Sequence, residues 1–323
     1  MNVWKMKKRT KKALKAFVVI IILLVVAVVG GSFYMLDYSL GNMGGKDLAV
    51  TDSLLAEQYP HIKLWADSMR ACQQLRDTSI VTSDNRHLHA IYAYASEPTP
   101  NTAVILHGYT GNANMFLYIG YLFHHTLGYN IFIPDFHAHG KSDGDAIQMG
   151  WKDADDVLEW LPLVNHLFSG STQCRMVIHG TSMGAATAMN VSGREIYDDV
   201  IGYIEDSGYT SVWDEFEYQL KSQFGLPAFP LMYTSSILCD WRYGWSFDGA
   251  SSVEEVKKCE KPMLFIHSDS DDFVPSWMVD TLYQAKVDNK SLWIVPRSAH
   301  AMAYHDYPEE YAERVKTFLD SIN

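Results

Sequence analysis

The sequence predicts an α/β fold, a mainly parallel central sheet with helices on both faces, behind one N-terminal transmembrane helix. Three observations predict it. From about residue 75, short apolar runs alternate with amphipathic stretches, the pattern of strands joined by covering helices. Gly180-Thr181-Ser182-Met183-Gly184 stands between an apolar run and a small-residue helical stretch, as a sharp strand-to-helix turn requires. Residues 16–35 carry no charge. About twenty such residues at 1.5 Å each span a hydrocarbon core of roughly 30 Å.

Residues 1–15 read as a basic cytoplasmic segment, 16–36 as an uncleaved signal anchor, 37–74 as a tether and peripheral helix, and 75–323 as the folded domain. Trp4 on one side and Phe33, Tyr34 and Tyr38 on the other suit the two membrane interfaces. A cleaved signal peptide is the rival reading, because Phe17 to Val29 is short enough for its apolar region, but no small-x-small cleavage site follows. Lysines held inside would leave a single-pass protein of the cell membrane with its domain outside the cytoplasm.

Within the domain, Ser79 to Tyr94 reads as a hairpin turning at Ser83-Asp84-Asn85. Thr102 to Leu106 is a buried strand, followed by a helix from Phe116 to Leu127. Tyr129 to Pro134 is the next strand and Lys152 to Leu167 an amphipathic helix. Arg175 to His179 leads into the Gly180–Gly184 turn, and Val200 to Glu205 is a further strand. Residues 209–258 interrupt the rhythm with nine aromatics from Trp213 to Trp245 and read as surface helices or a lid. Strands resume at Pro262 to Ile266 and Ser291 to Val295, and Pro308 to Ile322 closes the chain as a helix.

The 323 residues are 48% hydrophobic, enough to bury the core of one large domain. The net charge of -12 is uneven. Seven of the 26 Lys and Arg lie in residues 1–15, leaving 19 against 38 Asp and Glu in the rest. So acidic a body would repel phosphates, and no nucleic-acid partner is expected. Cys72, Cys174, Cys239 and Cys259 are scattered without C-x-x-C spacing, which points to free or packed thiols.

A serine at the centre of G-x-S-x-G is held in a strained turn that exposes its hydroxyl at a helix N-terminus. Side chains at Gly180 or Gly184 would collide with that turn. An alcohol needs a base to act as nucleophile, and the base needs an orienting acid, in the chain order Ser, Asp, His. His300 follows the last strand in a loop of small residues and is the candidate base. The acid should follow the preceding strand, where Asp269, Asp271 and Asp272 compete, and Asp206 lies at the end of the strand before that. Two oxyanion donors are expected, the backbone amides of Met183 and of Tyr109 in His107-Gly108-Tyr109. His107, His137 and His139 are read as structural, and no metal or cofactor site is expected.

The stretches LHGYTGN (106–112), DFHAHGKSDG (135–144), HGTSMGAA (179–186), IEDSGYTS (204–211), HSDSDDFVP (267–275) and SAHAM (298–302) resemble the α/β-hydrolase superfamily. They are most similar to its membrane-anchored bacterial branch, related to BEM46-like and prolyl-oligopeptidase-like serine hydrolases. The resemblance covers residues 75–320 and implies the α/β-hydrolase fold, with Asp271 as the acid beside Ser182 and His300. Relatives usually carry Arg at the position of His137, a departure that bears on packing there. The expected activity is hydrolysis of a small-molecule ester through an acyl-enzyme. A peptidase or amidase, or an acyltransferase, would use the same residues, and a non-catalytic binding protein would keep the fold alone.

Overall fold

The computed structural model describes residues 3–41, 46–170, 173–194 and 197–322, without the side chains of 3–10. Trp4 and the basic side chains before Lys11 therefore lie outside the described residues. Eight strands form one sheet: β1 (Arg76–Val81), β2 (His87–Ala93), β3 (Asn101–Leu106), β4 (Asn130–Pro134), β5 (Arg175–Thr181), β6 (Val200–Asp206), β7 (Met263–Ser268) and β8 (Lys290–Val295). Their spatial order is β1-β2-β4-β3-β5-β6-β7-β8. β2 pairs antiparallel with β1 and β4, and every other pairing is parallel.

The central strands are apolar on both faces because helices cover both. In β3, Ala103 and Ile105 join one core, while Val104 and Leu106 join the other. That division follows from the two-residue period of a strand. β1, at the sheet edge, alternates exposed and half-buried residues, and its Arg, Asp, Thr and Ser keep that edge wet.

The helices are α1 (Val3–Leu40), α2 (Leu48–Gln58), α3 (Pro60–Ala71), α4 (Leu117–Tyr121), α5 (Asp153–Phe168), α6 (Met183–Ser192), α7 (Val212–Phe224), α8 (Leu231–Tyr243), α9 (Ser252–Val256), α10 (Trp277–Ala285), α11 (Ala303–Asp306) and α12 (Pro308–Ser321). The helix expected over Phe116 to Leu127 is divided, α4 giving way to a π-helical turn over Leu122–Thr126. Residues 209–258 form α7, α8 and α9. Ser211 caps α7 by accepting from the Asp214 amide, and Gly225 ends it in a left-handed conformation.

The N-terminal region departs from the expected layout. Among the described residues one helix, α1, is long and apolar enough to cross a membrane. It does not stop at residue 36 but runs to Leu40, and Leu36 and Leu40 are fully buried in the main core. The stretch expected as a tether and peripheral helix holds two helices, α2 and α3, whose Leu55, Ile62, Ala66 and Met69 pack on the other core. Burial of these apolar faces fixes the segment to the domain.

Candidate active site

β5 ends in the turn that sets Ser182 at the start of α6. Ser182 has φ 57° and ψ -118°, a conformation that L residues adopt only when their surroundings enforce it. A Cβ at Gly180 would lie 2.0 Å from the Gly184 carbonyl oxygen, and one at Gly184 would lie 2.1 Å from that of Leu106. Only hydrogen fits at either place. The Ser182 amide donates to the Asp206 carbonyl at 2.8 Å, tying the turn to the end of β6.

His300 lies in the loop after β8 and Asp271 in the loop after β7. The Ser182 hydroxyl stands 2.8 Å from His300 Nε2, and His300 Nδ1 stands 2.7 Å from Asp271 Oδ2. Asp271 is itself fixed, since its Oδ1 accepts from the amides of Phe273 at 3.0 Å and Val274 at 2.8 Å. The Phe273 ring packs on the imidazole with centroids 5.1 Å apart.

The competing acids are occupied elsewhere. Asp269 Oδ1 accepts from the Arg297 amide at 2.7 Å and so braces the histidine loop. Asp272 is exposed, and its carbonyl accepts from the Tyr218 hydroxyl. Asp206 accepts from the Tyr311 hydroxyl at 3.0 Å and from the Ser207 hydroxyl at 3.0 Å. Burial pushes the Asp206 carboxyl up to about 6, against the pull of those two hydroxyls.

Tyr109 and Met183, the expected oxyanion donors, line one cavity with Ser182 and His300. A Cβ at Gly108 would be 3.5 Å from the Ser182 Cβ, so the loop after β3 runs in direct contact with the turn. The Tyr109 side chain points elsewhere, its hydroxyl donating to the Ser39 carbonyl at 2.7 Å.

The histidines read as structural have such roles. His107 Nε2 accepts from the Phe136 amide at 3.0 Å, and burial pushes its pKa down to about 4. Burial likewise lowers His137 to about 4 and His139 to about 3, so both are neutral. At His137, where relatives usually carry Arg, Arg86 from another segment contacts the imidazole Nδ1 at 3.2 Å and grips Asp156 with two bonds.

The cavity encloses about 640 Å³ and is mostly apolar. Its walls come from three parts of the chain that sequence reasoning did not join: Met35 and Leu36 of α1, Met115 and Phe116 after β3, and Phe216, Leu220, Leu231 and Met232 of α7 and α8. One polar stripe crosses it. Gln223 Nε2 donates to Gln219 Oε1 at 2.7 Å, and Gln219 Nε2 donates to Glu215 Oε1 at 3.0 Å. Burial raises Glu215 to about 8, keeping it neutral at physiological pH. The Glu-Gln-Gln spacing of four in an aromatic-rich stretch was the available signal for this stripe.

A strained serine turn at the strand ends, a histidine and an acid in contact with it, and a mostly apolar cavity beside them are the arrangement expected of the α/β hydrolases. The chain belongs to the alpha/beta hydrolase family, which matches residues 103–314. It is 35% identical over 234 residues to YqkD, an uncharacterized protein of Bacillus subtilis (strain 168), covering 72% of this chain and 75% of that one. It is 26% identical over 230 residues to the uncharacterized membrane protein YNL320W of Saccharomyces cerevisiae, covering 69% and 72%. Among solved structures, the esterase Pf2001 of Pyrococcus furiosus shares the fold with a TM-score of 0.61 at 25% identity, covering 77% of this chain and 91% of that chain. A membrane phospholipase A, a bacterial virulence factor, shares it with a TM-score of 0.57 at 19% identity, covering 95% and 99%. The family match supports hydrolase activity.

Proposed function

We propose that this protein is a membrane-anchored serine hydrolase that cleaves carboxylic esters with an apolar acyl group. The observation that carries the reading is the unbroken contact from Asp271 through His300 to Ser182 on the wall of an apolar cavity. Ser182 Oγ attacks the ester carbonyl while His300 Nε2 takes its proton. Asp271 holds the ring with Nδ1 protonated and stabilises the imidazolium that forms. The amides of Tyr109 and Met183 receive the developing oxyanion. His300 then returns the proton to the leaving alcohol, and water releases the acyl group by the same steps in reverse. No cofactor enters this sequence. α1 anchors the enzyme, and its basic flank keeps the N-terminus in the cytoplasm and the hydrolase domain outside.

Treating the full-length protein with a fluorophosphonate probe and with p-nitrophenyl esters tests the chemistry. Wild type should label and turn over, and Ser182→Ala should do neither, with turnover falling on the order of 10⁶-fold. An unlabelled wild type, or labelling that survives the substitution, defeats the reading. Faster cleavage of aminoacyl-anilides than of esters would move the activity to amides. Protease added to intact cells should digest the domain while cytosolic markers survive.

A further inference from the structure

α1 meets the domain before its apolar run is over. Lys15 is the last charge ahead of Asp37. A hydrocarbon core roughly 30 Å thick takes about twenty helical residues, which carries a span beginning at Ala16 to Met35. Yet α8 lies against α1 inside that span. The Ser32 hydroxyl is hydrogen-bonded to the Thr234 hydroxyl, and a Cβ at Gly31 would be 3.3 Å from Leu231. Further along, Arg242 Nη1 donates to Asp37 Oδ1 at 3.0 Å. The two helices therefore run side by side in the same direction, and at 1.5 Å per residue Leu231 sits about 6 Å inside the end of the span.

The outer face of α8 suits that depth. Tyr233, Ile237 and Trp241 recur every four residues on one face and are 52%, 68% and 76% exposed, and Phe229 just ahead of them is 73% exposed. A contiguous apolar stripe of this kind marks a surface that is covered in use. Its composition is graded. Phe229 lies at the deep end, and Trp241 lies at the shallow end beside Asp240 and Arg242. Apolar groups giving way to an amphipathic aromatic and then to charge is the order of a lipid interface.

We propose that α8 is a second membrane-contacting element, its Phe229–Trp241 face resting in the headgroup and upper acyl region of the leaflet that α1 crosses. The proposal rests on the reading of α1 as membrane-spanning. It places the domain partly sunk in that leaflet. The cavity wall made by Met35 and Leu36 with Leu231 and Met232 then lies at the lipid boundary, where the acyl chain of a bilayer ester can enter without first crossing water.

The test uses the full-length protein carrying Cys72→Ser, which leaves only buried cysteines. Single cysteines replace Leu24, Ile237, Trp241 or Val287, each labelled with the environment-sensitive fluorophore NBD. The protein is reconstituted in phosphatidylcholine–phosphatidylglycerol vesicles containing doxyl-labelled phosphatidylcholine. Val287 is 77% exposed and precedes β8, at the opposite strand ends from Ser182. Labels at 237 and 241 should be quenched several-fold more than at 287 and approach the quenching at 24. Strong quenching at 24 with 237 and 241 no different from 287 overturns the proposal. Labels at 237 and 241 shielded from both doxyl lipid and aqueous iodide would assign the stripe to a protein partner and overturn it too. An unquenched label at 24 removes the membrane span itself, and the proposal falls with it.

Discussion

His300 Nδ1 and Asp271 Oδ2 stand 2.7 Å apart, joining loops that follow two adjacent strands, while the carboxyl of Asp206 on the next strand is engaged by Tyr311. This difference yields the first prediction. Asp271→Asn should lower kcat by roughly 10³–10⁴-fold, because an amide favours the wrong histidine tautomer. Asp206→Asn should leave kcat within about tenfold of wild type, because this carboxyl accepts from the Tyr311 hydroxyl and not from the His300 imidazole. Ester turnover by the two purified variants separates the roles, and the reverse order would assign the acid to Asp206.

Tyr109 supplies a second prediction. Its hydroxyl donates to the carbonyl of Ser39, so the loop expected to bind the oxyanion is attached to the last turn of α1. A neutral hydrogen bond contributes about 1 kcal/mol. Tyr109→Phe should therefore reduce kcat about five- to tenfold with little change in KM, since the amide loses its placement and the cavity keeps its shape. Equal kcat values would show that the loop holds its position without α1.

The buried acids set the pH dependence of stability. Burial raises both Asp153 and Glu215 to about 8, far above their ordinary values of 3.8 and 4.5. Between those limits the folded protein keeps protons that the unfolded chain has released, so stability falls as pH rises toward 8. The buried histidines, lowered by burial, act in the opposite sense up to about pH 6.5, so it is between there and pH 8 that the midpoint of thermal unfolding should drop by several degrees. In Asp153→Asn the slope should flatten, because the amide needs no proton to remain neutral. A midpoint that rises over that interval would contradict the assignment.

The turn at Ser182 gives the fourth prediction. A methyl group at Gly184 would meet the Leu106 carbonyl oxygen at 2.1 Å, with backbone on both sides and no flexible side chain to yield. Gly184→Ala should cost more than about 4 kcal/mol or prevent folding altogether. Gly30→Ala, where nothing lies within 4 Å, should express and unfold as wild type does. Circular dichroism and thermal unfolding of the two variants check the contrast.

Most of the sheet was legible because strand signals are local. Thr102 to Leu106, Tyr129 to Pro134 and Val200 to Glu205 are continuous apolar runs, and each lies within a residue or two of an observed strand. The positions of Ser182 and His300 could be chosen because each follows a strand at a loop with few alternatives, whereas Asp271 was separated from Asp269, Asp272 and Asp206 only by the family resemblance. α10 (Trp277–Ala285) went unread although its buried Met278, Val279 and Leu282 share one helical face. The cavity was not legible at all. Met35 and Met232 share a wall across almost two hundred residues of chain, and no local pattern announces such a meeting. The same limit hid the depth of α1 in the domain, because Leu36 read as the end of an apolar span and Leu40 as part of a tether.

That shared wall bears on how the protein can be handled. A trimmed version beginning after α1 would lose Met35, Leu36 and Ser39 from the cavity, the Ser39 carbonyl from Tyr109, and the Leu40 carbonyl to which the Ile147 amide donates. Ser182 and His300 would remain, in a chamber with one side missing. Such a fragment would accept bulkier and shorter esters than the intact protein does. An acyl-length profile measured on it would describe the breach. On the reading proposed above, α1 shapes the specificity of the site as much as it anchors the chain.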